Sequence, residues 1–167
     1  MSFRFVRRYT VMDVGQTGPT VTAGGRKMAQ MDWKLELVIV PVSDVDRAKK
    51  FYTDQLGFAE DVDHRVGDSF RVVQLTPPGS ACSITIGTGL TSATPGTYQG
   101  THLVVTDIDA ARAELVERGV GVGEPFHFGA QGKQDGLHPD RSDYSTFLSF
   151  EDPDGNGWTV QEVGHAS

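Results

Sequence analysis

Val-Ser-Asp-Val-Asp-Arg-Ala at residues 42–48 returns as Val-Thr-Asp-Ile-Asp-Ala-Ala at residues 105–111, 63 positions later. Each copy follows a short apolar run of strand type and precedes a helical pattern that closes at Gly57 or Gly119. Ser43/Asp44 and Thr106/Asp107 stand where helix N-caps belong, and the two glycines stand where helices stop. Val45, Ala48, Phe51, Tyr52 and Leu56 in one copy, and Ile108, Ala111, Leu115 and Val116 in the other, recur at helical spacing. One face of each helix therefore lies on a sheet.

Three strand-like pieces follow each helix. The first half offers residues 58–66, 70–75 and 82–87, separated by Gly-Asp and Pro-Pro-Gly turns; the second offers 124–129, 144–150 and 156–163. Each half thus reads β-α-β-β-β. Two copies of this length are too few and too long for a solenoid, and neither half can bury both its faces alone. The expected class is α+β: two tandem βαβββ modules forming an open, cup-shaped mixed sheet with helices on the convex side. The halves span about 33–90 and 98–164 within a single domain, 31–167.

Length and composition agree with that plan. A chain of 167 residues suits one domain with a real core. Its 38% apolar and 22% charged residues exclude a disordered chain, and no apolar run nears the ~20 residues that cross a bilayer. Residues 1–30 carry Arg4, Arg7, Arg8, Arg26 and Lys27 against Asp13 alone, and are rich in Gly, Thr and Pro. They read as a weakly structured, linker-like extension. The rest is strongly acidic, which argues against nucleic acid as a partner. Cys82 is the single cysteine; it sits in a strand pattern and reads as a buried thiol. With no disulfide possible within the chain, the cytoplasm is the expected compartment.

Residues 42–58, VSDVDRAKKFYTDQLGF, and residues 149–163, SFEDPDGNGWTVQEV, resemble the opening and closing signatures of the glyoxalase / bleomycin-resistance / extradiol-dioxygenase superfamily, the vicinal oxygen chelate fold. The resemblance covers about residues 33–164. It implies a cup whose concave side binds small molecules, and pairing into homodimers that complete the cup.

The resemblance also implies a test for metal. Many members hold a divalent ion through His, Glu or Gln on four strands, and use it as a Lewis acid. The first-strand ligand falls seven residues before the helix-start Asp, at Leu37, and its repeat equivalent falls at Gly100. The last falls four residues after the glycine of Asp152-Pro153-Asp154-Gly155-Asn156, at Thr159, and the remaining one matches Thr85. Leucine and glycine side chains cannot coordinate and threonine is a poor ligand, so no cofactor is expected. His102 and Gln161, each two residues further along its strand, enter the same side and leave a shifted divalent site as the minority form.

The favoured reading is a metal-independent protein that binds a small organic molecule, as the family's antibiotic-sequestering resistance proteins do. Its candidate lining is Leu37, Ile39, Gln74, Ser83, Thr85, His102, Thr159 and Gln161, with Phe147 as an aromatic wall. His138, Arg141 and Tyr144 belong to a long polar loop, 129–144, that reads either as a lid or as solvated surface. His127 alternates with Phe126 and Phe128, and either the cup or the wet face would suit it. Trp158 should face the helices. Two other readings stay open: an enzyme of lyase, isomerase or dioxygenase type using the shifted metal or His102 as acid–base, and a non-catalytic scaffold.

Overall fold

The computed structural model describes residues 31–164; the expectation for residues 1–30 lies outside them. The elements run β1 (Leu37–Ile39), α1 (Val45–Lys50), β2 (Ala59–Val66), β3 (Phe70–Thr76) and β4 (Ser83–Thr88). They continue with β5 (Thr101–Val105), α2 (Ile108–Glu117), β6 (Phe126–Gly129), β7 (Gly132–Asp135), β8 (Thr146–Glu151) and β9 (Gly157–Glu162). The strands form two open mixed sheets, ordered β1-β4-β3-β2 and β5-β9-β8-β6-β7. In each, the strand before the helix runs parallel to the last strand of its module, and the other pairings are antiparallel.

The helix ends follow the repeat. The Asp44 carboxylate accepts from the Asp46 and Arg47 amides at 3.0 Å, and that of Asp107 accepts from Ala110 at 2.9 Å. Each thereby satisfies amides that the first turn leaves without partners. Gly57 and Gly119, with φ of +70° and +78°, turn the chain out of the helical run in a conformation that disfavours any side chain. Between Lys50 and Gly57 the first helix widens into a π-helical turn, Phe51–Gln55. The wider turn lets two neighbouring rings, Phe51 and Tyr52, both reach the core, where they meet edge to face.

Strand alternation gives each sheet an inner and an open face. Val73, Leu75, Ile84 and Ile86 of the first sheet and Leu148, Phe150, Trp158 and Val160 of the second join Ala48, Tyr52 and Ile108 in one core. The halves are tied at Tyr52. Its ring packs against Phe58 and Trp158, its hydroxyl donates to Asp152 Oδ2 at 2.8 Å, and the Trp158 indole N–H donates to that hydroxyl. Asn156 donates both to Asp152 and to the Pro41 carbonyl at 2.8 Å. The two signatures noted in the sequence are thus the two sides of one buried joint. Trp158 faces the core, as its alternation with Thr159 requires.

One segment departs from the reading of residues 129–144 as a single polar loop. It begins with a hairpin, so the second sheet has a fifth strand, β7, on its edge.

Candidate functional site

Because both inner faces meet in the shared core, the two open faces look away from it. On the first sheet, Leu37 lies beside Ser83, Ile39 beside Thr85, and Gln74 opposite Thr85. The residue level with Leu37 is therefore Ser83, and Thr85 sits one layer along. On the second sheet His102 lies beside Thr159 and Val104 beside Gln161, while Phe147 opposes Gln161 and Ser149 opposes Thr159. All of these sequence candidates lie on the faces turned away from the core, five on one sheet and four on the other, with Gln74, Ser83 and Thr85 buried there.

His138 does not share either open face. Its ring meets His127 edge to face at 5.4 Å, and its amide donates to Thr146 Oγ1. His127 lies opposite Thr146, whose neighbour Phe147 points the other way. His127 is buried, with Nδ1 3.0 Å from the Gly136 carbonyl, so it faces neither a cup nor solvent. Arg141 is drawn to the same inner side: its guanidinium donates at 2.6 Å to Glu162, which is fully buried. The segment after β7 is thus pinned on the inner side and does not close over the open face as a lid would. The physical reason is the buried Glu162 carboxylate, which needs a cation beside it.

The open face of the second sheet carries what the sequence reading undercounted. Phe126 opposes Phe147 and stacks on it with centroids 5.6 Å apart, and Phe128 meets both rings edge to face. The ammonium of Lys133 lies 3.8 Å from the Phe126 centroid, a cation–π contact. Phe128 remains 60% exposed. Alternation with His127 signalled that Phe126 and Phe128 share a face; only the pairing with Phe147 tells which. The first sheet's open face carries a polar row beside Leu37 and Ile39. Gln74 Nε2 donates to Ser83 Oγ at 3.0 Å, Ser83 Oγ lies 2.6 Å from Thr76 Oγ1, and Thr76 donates to Asp61. Asp61 and Thr76 were not among the sequence candidates.

His102 is exposed, with Nδ1 2.8 Å from the Gly100 carbonyl. A carbonyl only accepts, so Nδ1 carries the proton and Nε2 is the open nitrogen. Its strand partner is Thr159, not Gln161, so the two polar groups of the shifted-metal alternative stand in different layers. The family's metal positions fare no better, since Leu37, Gly100 and Thr159 offer no strong donor. Among the described residues no group of three His, Cys, Asp or Glu side chains could hold an ion. The donor set does not fit a divalent metal.

A separate depression of about 270 Å³ opens between the halves on the helix side, lined by Leu56, Phe58, Leu103 and Leu115 among others. It is a seam of the core, away from the polar groups of the open faces; Glu114 at its rim is ion-paired with Arg118. No described helix is long and apolar enough to cross a membrane.

The family model of the Glyoxalase/Bleomycin resistance protein/Dioxygenase superfamily matches residues 34–160. Among solved structures, TnmS3, an antibiotic binding protein from Streptomyces sp. CB03234, is 31% identical with a TM-score of 0.64. The match covers 82% of this chain and 99% of that one. A glyoxalase/bleomycin resistance protein from the same organism is 32% identical (TM-score 0.60), covering 77% and 100%. A superfamily member from Sphaerobacter thermophilus DSM 20745 is 29% identical (TM-score 0.63), covering 80% and 99%. Comparison with curated proteins gives no match.

Proposed function

Because the chain belongs to the Glyoxalase/Bleomycin resistance protein/Dioxygenase superfamily, we propose that it binds a small aromatic organic molecule in a metal-independent cup and sequesters it without chemistry. The observation that carries this reading is the cluster of Phe126, Phe128 and Phe147 on an open face, with Phe128 left in water. An aromatic cluster with one ring left in water marks a binding surface, and the exposed Phe128 ring offers a stacking plane to a flat ligand. The likeness to a protein described as antibiotic-binding supports the same class of ligand.

The cup needs two walls, and one chain turns its two open faces away from a common core. The proposed assembly is a homodimer in which the first sheet of one copy faces the second sheet of the other. The exposed large apolar residues of the strands support it: Ile39, Val66, Val104 and Phe128 all lie on open faces. Light scattering at micromolar concentration should give twice the chain mass. Calorimetric titration with a panel of planar aromatic antibiotics should find at least one ligand binding once per chain. Phe128→Ala should weaken that binding about tenfold while leaving the melting temperature nearly unchanged, since the ring is largely in solvent. A monomer that binds no member of the panel would sink the reading. About one zinc, nickel, iron or manganese per chain after dialysis would sink its metal-independent part.

A further inference from the structure

The polar row on the open face of the first sheet has a proton order dictated by its far end. Asp61 is the extra residue of a bulge in β2, between Glu60, which pairs with Leu75, and Val62, which pairs with Gln74. Bulges re-aim side chains, and this one brings the Asp61 carboxylate onto Thr76, whose hydroxyl donates to it. A carboxylate accepts and does not donate at neutral pH. The single hydroxyl proton of Thr76 is therefore committed, and across their 2.6 Å contact Ser83 must be the donor to Thr76. That commits the proton of Ser83 in turn, so its oxygen accepts, and the group that donates to it at 3.0 Å is the amide nitrogen of Gln74. A flipped Gln74 would set two acceptors against each other. The relay thus fixes the amide with Nε2 toward Ser83 and Oε1 turned away from it.

Thr85 stands directly opposite Gln74 in the β3–β4 ladder. It is 3% exposed, and its hydroxyl makes no hydrogen bond. A buried hydroxyl without a partner is destabilising, and here it stands across from an amide whose orientation is imposed from the neighbouring strand. Resting on the reading of the open faces as a small-molecule site, we propose that Gln74 and Thr85 form a slot for a hydroxyl group of the ligand. That hydroxyl donates its proton to Gln74 Oε1 and accepts the proton of Thr85. The ligand class is then a hydroxylated aromatic, with its ring on the phenylalanine wall and its hydroxyl in the slot. Asp61, Thr76 and Ser83 act as positioning residues: they set the amide and do not touch the ligand.

The test uses the full chain, 2-naphthol and 2-methoxynaphthalene, with binding read by calorimetry. The methyl ether stacks equally well and still accepts, but it cannot donate to Gln74. The wild type should prefer 2-naphthol by about tenfold or more. Thr85→Val keeps the shape and removes the donor that both compounds accept from, so it should weaken both about equally and leave the preference in place; Thr85→Ser should restore both affinities. Asp61→Asn lets the order of the relay reverse, freeing the Gln74 amide to flip, and should weaken the preference with little change in affinity for the ether. Equal affinity of the wild type for both compounds, or affinities unchanged in Thr85→Val, overturns the slot and leaves aromatic binding standing. Binding of neither compound overturns the slot and the aromatic-binding reading together.

Discussion

The two halves share a strand-helix-strand plan and an aspartate cap, yet the clusters on their open faces differ in chemistry. In the first half the open face holds a hydrogen-bonded row from Asp61 to Gln74. In the second it holds three phenylalanine rings beside a lysine. The helices differ too: the first widens to bury two adjacent aromatic rings, while the second runs regularly and buries Ile108. The repeated residues are those that start helices and face the core. The diverged residues line the faces turned away from the core. A site built from both faces gains an apolar plane from one half and directional hydrogen bonds from the other.

The joint between the halves should yield the largest effect. Asp152 accepts from the Tyr52 hydroxyl, the Asn156 amide side chain and two backbone amides. Asp152→Ala leaves these buried donors without their acceptor and should cost on the order of 3–5 kcal/mol in urea unfolding. A loss below about 1 kcal/mol would mean that the halves are held by ring packing alone.

A smaller, pH-dependent effect belongs to the first half. Hydrogen bonds from Arg71, with further ones from Lys49, hold the Asp63 carboxyl well below the usual carboxylate range. A depressed folded-state value stabilises the fold above the unfolded pKa of about 3.9, and that stability is lost as the pH falls below it. Unfolding free energy should therefore drop between about pH 4 and pH 2. Asp63→Asn should be less stable at neutral pH and should show a shallower acid loss. An unchanged acid slope would remove Asp63 from the account.

The caps should give the smallest effect and the most direct comparison of the copies. Asp44→Ala and Asp107→Ala should each cost about 1 kcal/mol. The first should cost at least as much as the second, because Asp44 receives two amides and Asp107 one. The reverse order in thermal unfolding would show that the second half depends more on its helix start.

Much of this plan was legible in the chain. The repeated Asp44 and Asp107, with Gly57 and Gly119, announce helix ends because capping and left-handed closure are local chemistry. Period-two alternation groups Leu37 with Ile39, and Thr159 with Gln161, because neighbouring side chains in a strand must point to opposite sides. The β6–β7 hairpin was not legible. Gly132–Asp135 has no apolar alternation, and it becomes a strand by pairing with β6. His138 was misplaced for a related reason, since the burial of Glu162 and His127 draws its segment inward. Asp61 was hidden because a bulge changes strand parity, and nothing in residues 59–66 marks where the extra residue sits.

The sequence by itself determined the two modules, where their helices begin and end, and which strand residues keep company. All of these follow from spacing along one segment. Only the tertiary structure decided which side of β6 meets the core, that Phe126 and Phe128 join Phe147, and that the amide of Gln74 is held in one orientation. In β6, alternation says which residues share a face, but not which face is buried. That choice is made by contacts between distant parts of the chain, such as Tyr52 with Asp152, 100 residues apart.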